Sequence, residues 1–235
     1  MKAIQVDWTI KPMRQREGEP TRRFADRREA GRELAAELLA QADEHPVVVG
    51  LPRGGVPVAE EIATSLAAPL EILVVRKLGA PHNPEYGIGA IAEGGTHVFD
   101  PEALAVLGID NGALDAIVDR GRAEMRRRVE LYRRGREPLS LDGRTVIVVD
   151  DGVATGVTDT AALRAIRRQR PERLILAVPV CAPDSAARLR GEADQLVCLL
   201  EPRLLLGVGQ WYRDFSQVSD EQVIASLESA GNTLA

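Results

Sequence analysis

Apolar positions along the chain follow two alternating rhythms. Short runs rich in valine, leucine and isoleucine occur at Val47 to Leu51, Leu70 to Val75, Val146 to Val149, Leu174 to Val178 and Leu196 to Leu199. Runs of this kind read as strands buried on both faces, as in a parallel sheet covered by helices. Between them, apolar residues recur at helical spacing among charges. The expected helices are Asp26 to Ala42, Pro57 to about Leu66, Asp110 to Arg136 after Gly108, Thr160 to Arg168, Asp184 to Leu189 and Asp220 to Leu227. Pro57 suits the first position of its helix. Strands alternating with helices imply right-handed crossovers and a three-layer α/β/α sandwich with a mostly parallel sheet.

Two segments stand outside that rhythm. Residues Met1 to Arg23 are mixed and polar, with Trp8 as their only sizeable anchor, and read as an N-terminal extension to a domain spanning 24–235. Gly79 to Gly95 carries Pro81, Pro84 and several glycines. A segment of that length and composition is either disordered or a functional lid. Within it, Ile88 to Ala92 and Thr96 to Phe99 are suited to the two arms of a hairpin.

Composition narrows the picture. Apolar residues make up 45% of the chain but aromatics only 3%, so aliphatic side chains must fill the core. A net charge of −5 argues against a protein that coats nucleic acid generally. Cys181 and Cys198 lack Cys-x-x-Cys spacing and read as a buried, reduced pair of a cytoplasmic protein. His45, His82 and His97 are scattered, which gives no zinc pattern. No basic-then-apolar leader and no run approaching a membrane span is present, so the expectation is a soluble protein. In Asp110 to Arg136, arginines 126–128 and 133–134 are interleaved with Glu124 and Glu130, which suits a solvated or intersubunit helix and leaves a homodimer open. A nucleic-acid surface is the sharper alternative there.

The chemistry concentrates in one stretch. The strand Val146 to Val149 is followed by Asp150, Asp151 and the small-residue loop Gly152-Val153-Ala154-Thr155-Gly156-Val157-Thr158, with Thr158 as the expected cap of the next helix. Ligands of open α/β sheets lie at the carboxyl ends of strands. A loop of small residues opening a helix suits a phosphate. Two carboxylates repel phosphate but accept hydrogen bonds from a neutral diol, and ribose 5-phosphate offers both groups together. The loop is neither a Walker A sequence nor a Gly-x-Gly-x-x-Gly turn. The plain alternative is a strand-to-helix turn whose acids only cap the helix. A second strand-loop-helix anion site follows Val47 to Leu51, at Pro52-Arg53-Gly54-Gly55, and Arg76-Lys77 closes the Leu70 to Val75 run.

The acids and the Ala-Thr-Gly-x-Thr loop closely resemble the phosphoribosyl diphosphate (PRPP) signature of the type I phosphoribosyltransferases, and the resemblance extends over roughly Phe24 to Phe215. It implies that Asp150 and Asp151 hold the ribose hydroxyls and that Ala154, Thr155, Gly156, Val157 and Thr158 hold the 5-phosphate. Arg53, Gly54 and Gly55 would grip pyrophosphate, with a cis peptide between Pro52 and Arg53, and Arg76 and Lys77 would share its charge. The Gly79 to Gly95 segment would be the flexible loop that closes over the donor. A hood near 201–215 would stack Trp211 or Tyr212 on the acceptor. Relatives specific for hypoxanthine and guanine carry an acid where Ala154 stands, so proton transfer passes by resemblance to Glu85, with Glu93 as its alternate. Arg76-Lys77 and Glu85-Tyr86-Gly87 are similar to adenine phosphoribosyltransferases, whereas the arginine-rich segment is not.

The resemblance therefore implies Mg²⁺-dependent transfer of ribose 5-phosphate from PRPP to a nitrogenous base, in nucleotide salvage. The magnesium arrives on the donor, without a dedicated protein metal site. A PRPP-binding regulator acting through nucleic acid is the alternative, favoured by the arginine helix, and a protein holding some other phosphorylated sugar or nucleotide is the third reading.

Overall fold

Residues 22–39, 46–81, 83–109 and 111–233 are described by the computed structural model. The expected N-terminal extension up to residue 21, the last residues of the first expected helix (40–42), Asp110, His45 and His82 lie outside them. In chain order the elements are α1 (Arg27–Leu39), β1 (Val47–Gly50), α2 (Gly55–Ser65), β2 (Leu70–Ile72), β3 (Val75–Ala80), β4 (Asn83–Ala92), β5 (His97–Phe99) and α3 (Pro101–Leu107). They continue with α4 (Asn111–Arg133), β6 (Thr145–Val149), α5 (Val157–Arg167), β7 (Arg173–Val180), α6 (Pro183–Leu189), β8 (Gln195–Leu200), a 3-10 turn at Val208–Trp211 and α7 (Asp220–Thr233).

The parallel sheet has the order β2-β1-β6-β7-β8. Its strands alternate between two cores, as a period of two requires. Val48, Ile147 and Ile175 face a core closed by Leu34 and Leu38 of α1, Ile62 of α2 and Val223 and Leu227 of α7. Val47, Val49, Val146, Val148, Leu174 and Leu176 face a second core closed by Leu163 and Ile166 of α5 and Leu189 of α6. Helices on both faces of a parallel sheet give the expected three layers. No described helix is long and apolar enough to cross a membrane.

The expected strand Leu70 to Val75 is in fact two. β2 ends at Ile72, and from Val75 the chain pairs antiparallel with β4, opposite Ala92. Arg76 and Lys77 therefore lie inside β3, on opposite sides of it, rather than at a strand tip. The Gly79 to Gly95 stretch belongs to a three-stranded antiparallel sheet, β3-β4-β5, which starts at Val75 and ends at Phe99. The β4-β5 hairpin matches the expected arms, with Gly94 and Gly95 at φ 83° and 86° making its turn. α3 has no counterpart in the sequence pattern: Asp100 caps it through Glu102 N (3.0 Å) and Ala103 N (3.2 Å), and Gly108 ends it in the left-handed region.

Candidate active site

β1 and β6 are neighbours with Gly50 opposite Val149, so the loops that follow them emerge side by side. Leu51 N donates to Val149 O at 2.9 Å. The loops then touch so closely that only glycine fits. A Cβ at Gly54 would stand 1.9 Å from Asp151 Oδ2, and one at Gly55 would stand 2.4 Å from Val149 O. The Pro52–Arg53 peptide is cis. Resemblance gave these two loops separate tasks, and the fold places them in contact.

Asp151 is fixed from three directions. Arg27 Nε donates to its Oδ2 at 2.8 Å, and Tyr212 OH donates to its backbone carbonyl at 2.6 Å. Asp151 N donates to Asp150 Oδ1 at 2.8 Å. Arg27 is itself held, 3.8 Å over the Phe215 ring and bonded to Ser216 O. Burial pushes both carboxyls up, Asp150 well above its usual range; repulsion from Asp151 adds to the rise of Asp150, while the Arg27 hydrogen bond opposes that of Asp151. A third acid, Asp159, is buried in the first turn of α5 with Oδ1 lacking a hydrogen-bond partner. Burial and then the charge of Asp151 push it up to about 7, against Lys77, whose charge pulls all three acids down.

The loop from Ala154 to Thr158 is tied from behind. Ser185 Oγ donates to Ala154 O (2.7 Å), Arg188 Nη2 to Thr155 O (2.9 Å) and Thr160 Oγ1 to Gly156 O (2.8 Å). These bonds engage the loop carbonyls, the groups that would otherwise repel an anion, while Ala154 and Thr155 stay exposed. The expected cap at Thr158 is corrected: α5 starts at Val157, and Gly156 caps it at φ 74°. Pro57 likewise falls inside the first turn of α2, which starts at Gly55.

The remaining candidates divide. Lys77 acts on the acids, whereas Arg76 lies 3.8 Å from Glu124 of α4, on the other side of β3. The Arg53 guanidinium lies 3.9 Å from Asp220 of α7. Glu85 belongs to β4 by its backbone, and its side chain lies outside the described residues. Glu93 is occupied by Arg133, at 3.1 and 3.3 Å, which withdraws it as the alternate proton acceptor. The stacking role of Trp211 or Tyr212 is also corrected. Both rings are buried in a small core with Phe24, Ala30, Val180 and Leu200, because the returning chain packs them inward. The large apolar side chains the 201–215 segment does expose are Leu204 and Leu206. Sequence reasoning missed Arg27 and Asp159. Nothing local marks Arg27, while a third acid soon after the pair was a usable signal for Asp159.

The sequence profile of the phosphoribosyl transferase domain matches residues 24–201. The chain belongs to that family. Two Mycobacterium tuberculosis proteins, from strains H37Rv and CDC 1551 and named provisionally as phosphoribosyl transferases, are each 47% identical over 212 residues, which is 90% of this chain. The chain spans only 48% of their length. Among solved structures, protein TT1426 from Thermus thermophilus is 45% identical and superposes with a TM-score of 0.75, covering 88% of this chain and 98% of the other. The phosphoribosyl transferase domain thus supplies the parallel sheet and the carboxyl-edge loops described above. Among its described residues, no group of three or more His, Cys, Asp or Glu side chains is arranged to hold a metal ion.

Proposed function

We propose that this chain transfers ribose 5-phosphate from PRPP to a nitrogenous base and releases pyrophosphate. The observation that carries the reading is the contact between Gly54 of the pyrophosphate loop and Asp151 of the ribose pair, which would set the two ends of one donor side by side. The bond from C1 to pyrophosphate breaks, a bond from C1 to the acceptor nitrogen forms, and the acceptor loses a proton. Asp150 and Asp151 accept from the ribose hydroxyls and favour the positive charge that develops at C1. Arg53 and Lys77 serve the leaving group. Magnesium belongs to the donor, whose oxygens and waters suit a hard cation. Glu85 is the group we assign to proton transfer, on the β4 strand beside Tyr86. We take 24–235 as the catalytic unit, 201–215 as its hood, and the cytoplasm as its compartment, in keeping with the free thiols of Cys181 and Cys198.

A regulator working through nucleic acid is the less favoured reading, because arginines of α4 and the residue after it stand against carboxylates of the fold, with Arg127 and Arg128 sharing one. Arg122 pairs with Asp119, Arg127 and Arg128 with Glu124, Arg133 with Glu71 and Glu93, and Arg134 with Glu228.

The test is pyrophosphate release from PRPP and Mg²⁺ across a panel of purine and pyrimidine bases. One base class is expected to give turnover. Asp150→Asn and Asp151→Asn should each weaken PRPP binding by roughly ten- to a hundredfold, the worth of a charge-assisted hydrogen bond. Undiminished PRPP affinity in both variants would remove the ribose assignment, and silence across the panel with PRPP bound would remove the transfer.

A further inference from the structure

Three guanidinium groups share one carboxylate oxygen on the α4 face of the antiparallel sheet. Oε1 of Glu124 lies 2.9 Å from Arg127 Nη2, 3.6 Å from Arg128 Nε and 3.8 Å from Arg76 Nη1. Arg127 and Arg128 stand at the helical spacings that solvated pairs use, and alone they would need no further account. Arg76 comes from β3, so the cluster is built by the fold and not by one helix. One carboxylate cancels one of three cations, which leaves a local excess of two positive charges. The arginines, Arg127 first, hold Glu124 down to about 2, so its charge persists at any working pH. The cluster adjoins a second one, where Arg53 faces Asp220, whose charge also acts on Arg127. Excess guanidinium charge that remains partly exposed adds little to stability. It does match a phosphate group, which carries about two negative charges and accepts several arginine hydrogen bonds.

We propose that Arg76, Arg127 and Arg128 form an oligophosphate-binding site, in which Glu124 holds the guanidinium groups together until a phosphate displaces its carboxylate. The site stands on the opposite side of β3 from Lys77 and the ribose acids, and it does not depend on the transfer reaction. Its occupant is an oligophosphate separate from the donor, whose pyrophosphate falls to Arg53 and Lys77 on the reading above.

The experiment is calorimetry of the full chain with tripolyphosphate at low salt, with and without saturating ribose 5-phosphate. The parent is expected to bind. The double variant Arg127→Ala, Arg128→Ala should lose at least about tenfold in affinity, and Glu124→Gln should gain about as much, because a competing charge is gone. The altered side chains lie at the surface, and thermal melts confirm that each variant is folded. Arg134→Ala, which removes an exposed arginine just after α4 that pairs with Glu228 of α7, is the control and should leave affinity unchanged. PRPP affinity should stay intact in the double variant; a parallel loss would merge the cluster with the donor site and overturn it as a separate one. No binding by the parent, unchanged binding in the double variant, weaker binding in Glu124→Gln, or an equal loss in Arg134→Ala overturns the site.

Discussion

At position 159 an acid stands in the first turn of α5, where a carboxylate ordinarily gains from the helix dipole. Burial overrides that gain and raises Asp159 to about 7, with the charge of Asp151 adding to the rise. The native state therefore binds a proton that the unfolded chain gives up near the usual aspartate range. Stability tied to this group is fully present below about pH 4 and is lost as pH rises toward 7, by at most about 1.4 kcal/mol per unit. Asp159→Asn should be more stable than the parent at pH 8, with the gap closing below pH 4. Urea unfolding of both proteins between pH 4 and 8 measures this, and parallel curves would contradict it. The loops that carry Asp150, Asp151, Gly54 and Gly55 can be picked out in the sequence because each follows a buried strand; their mutual contact cannot. Nor can Arg27, because only the finished fold brings it to a carboxylate far along the chain.

Among the elements, the parallel strands were legible because both their faces are buried. The β3-β4-β5 sheet was less so. Its glycines read as loop, yet Gly89 is there because a Cβ would meet Val98 O at 2.5 Å across the hairpin. The arginine-lysine pair 76–77 reads as a strand end in the sequence because periodicity does not reveal where a strand changes partner. The loop-to-loop contact makes a sharper demand. Gly54→Ala forces Asp151 or the loop to move, so PRPP affinity should fall at least about tenfold with a lowered melting temperature. Gly87→Ala has open space around it and should change neither. Calorimetry and thermal melts on the pair check this, and equal behaviour of the two variants would mean the contact is not needed.

On the scale of the whole molecule, a five-stranded parallel sheet carries the two touching loops after β1 and β6, and a separate three-stranded sheet lies between α4 and α5. The alternation of strands and helices implies the layers, and the resemblance places the aromatic residues of the 201–215 segment on the acceptor. Neither anticipates their burial, since an aromatic in a glycine-rich stretch carries no sign of which way it turns. The small core of Phe24, Trp211 and Tyr212 joins segments distant in sequence: Phe24 N donates to Trp211 O, and Arg213 N to Phe24 O, each at 2.8 Å.

That junction works as a clasp. The strand-like pairing of Phe24 with Tyr212 sits three residues before Arg27 and next to the segment leading to Phe215. Opening it would withdraw the guanidinium and the tyrosine hydroxyl from Asp151 in one motion. If Asp150 and Asp151 hold ribose as proposed, a ligand there is expected to favour the closed clasp, because Asp151 is the group that Arg27 and Tyr212 hold in place. Bound PRPP should accordingly slow proteolytic cutting at Arg22, Arg23 and Arg213, read as fragment appearance over time. Cutting at the same rate with and without PRPP would show that the clasp stays shut regardless of what the acids hold.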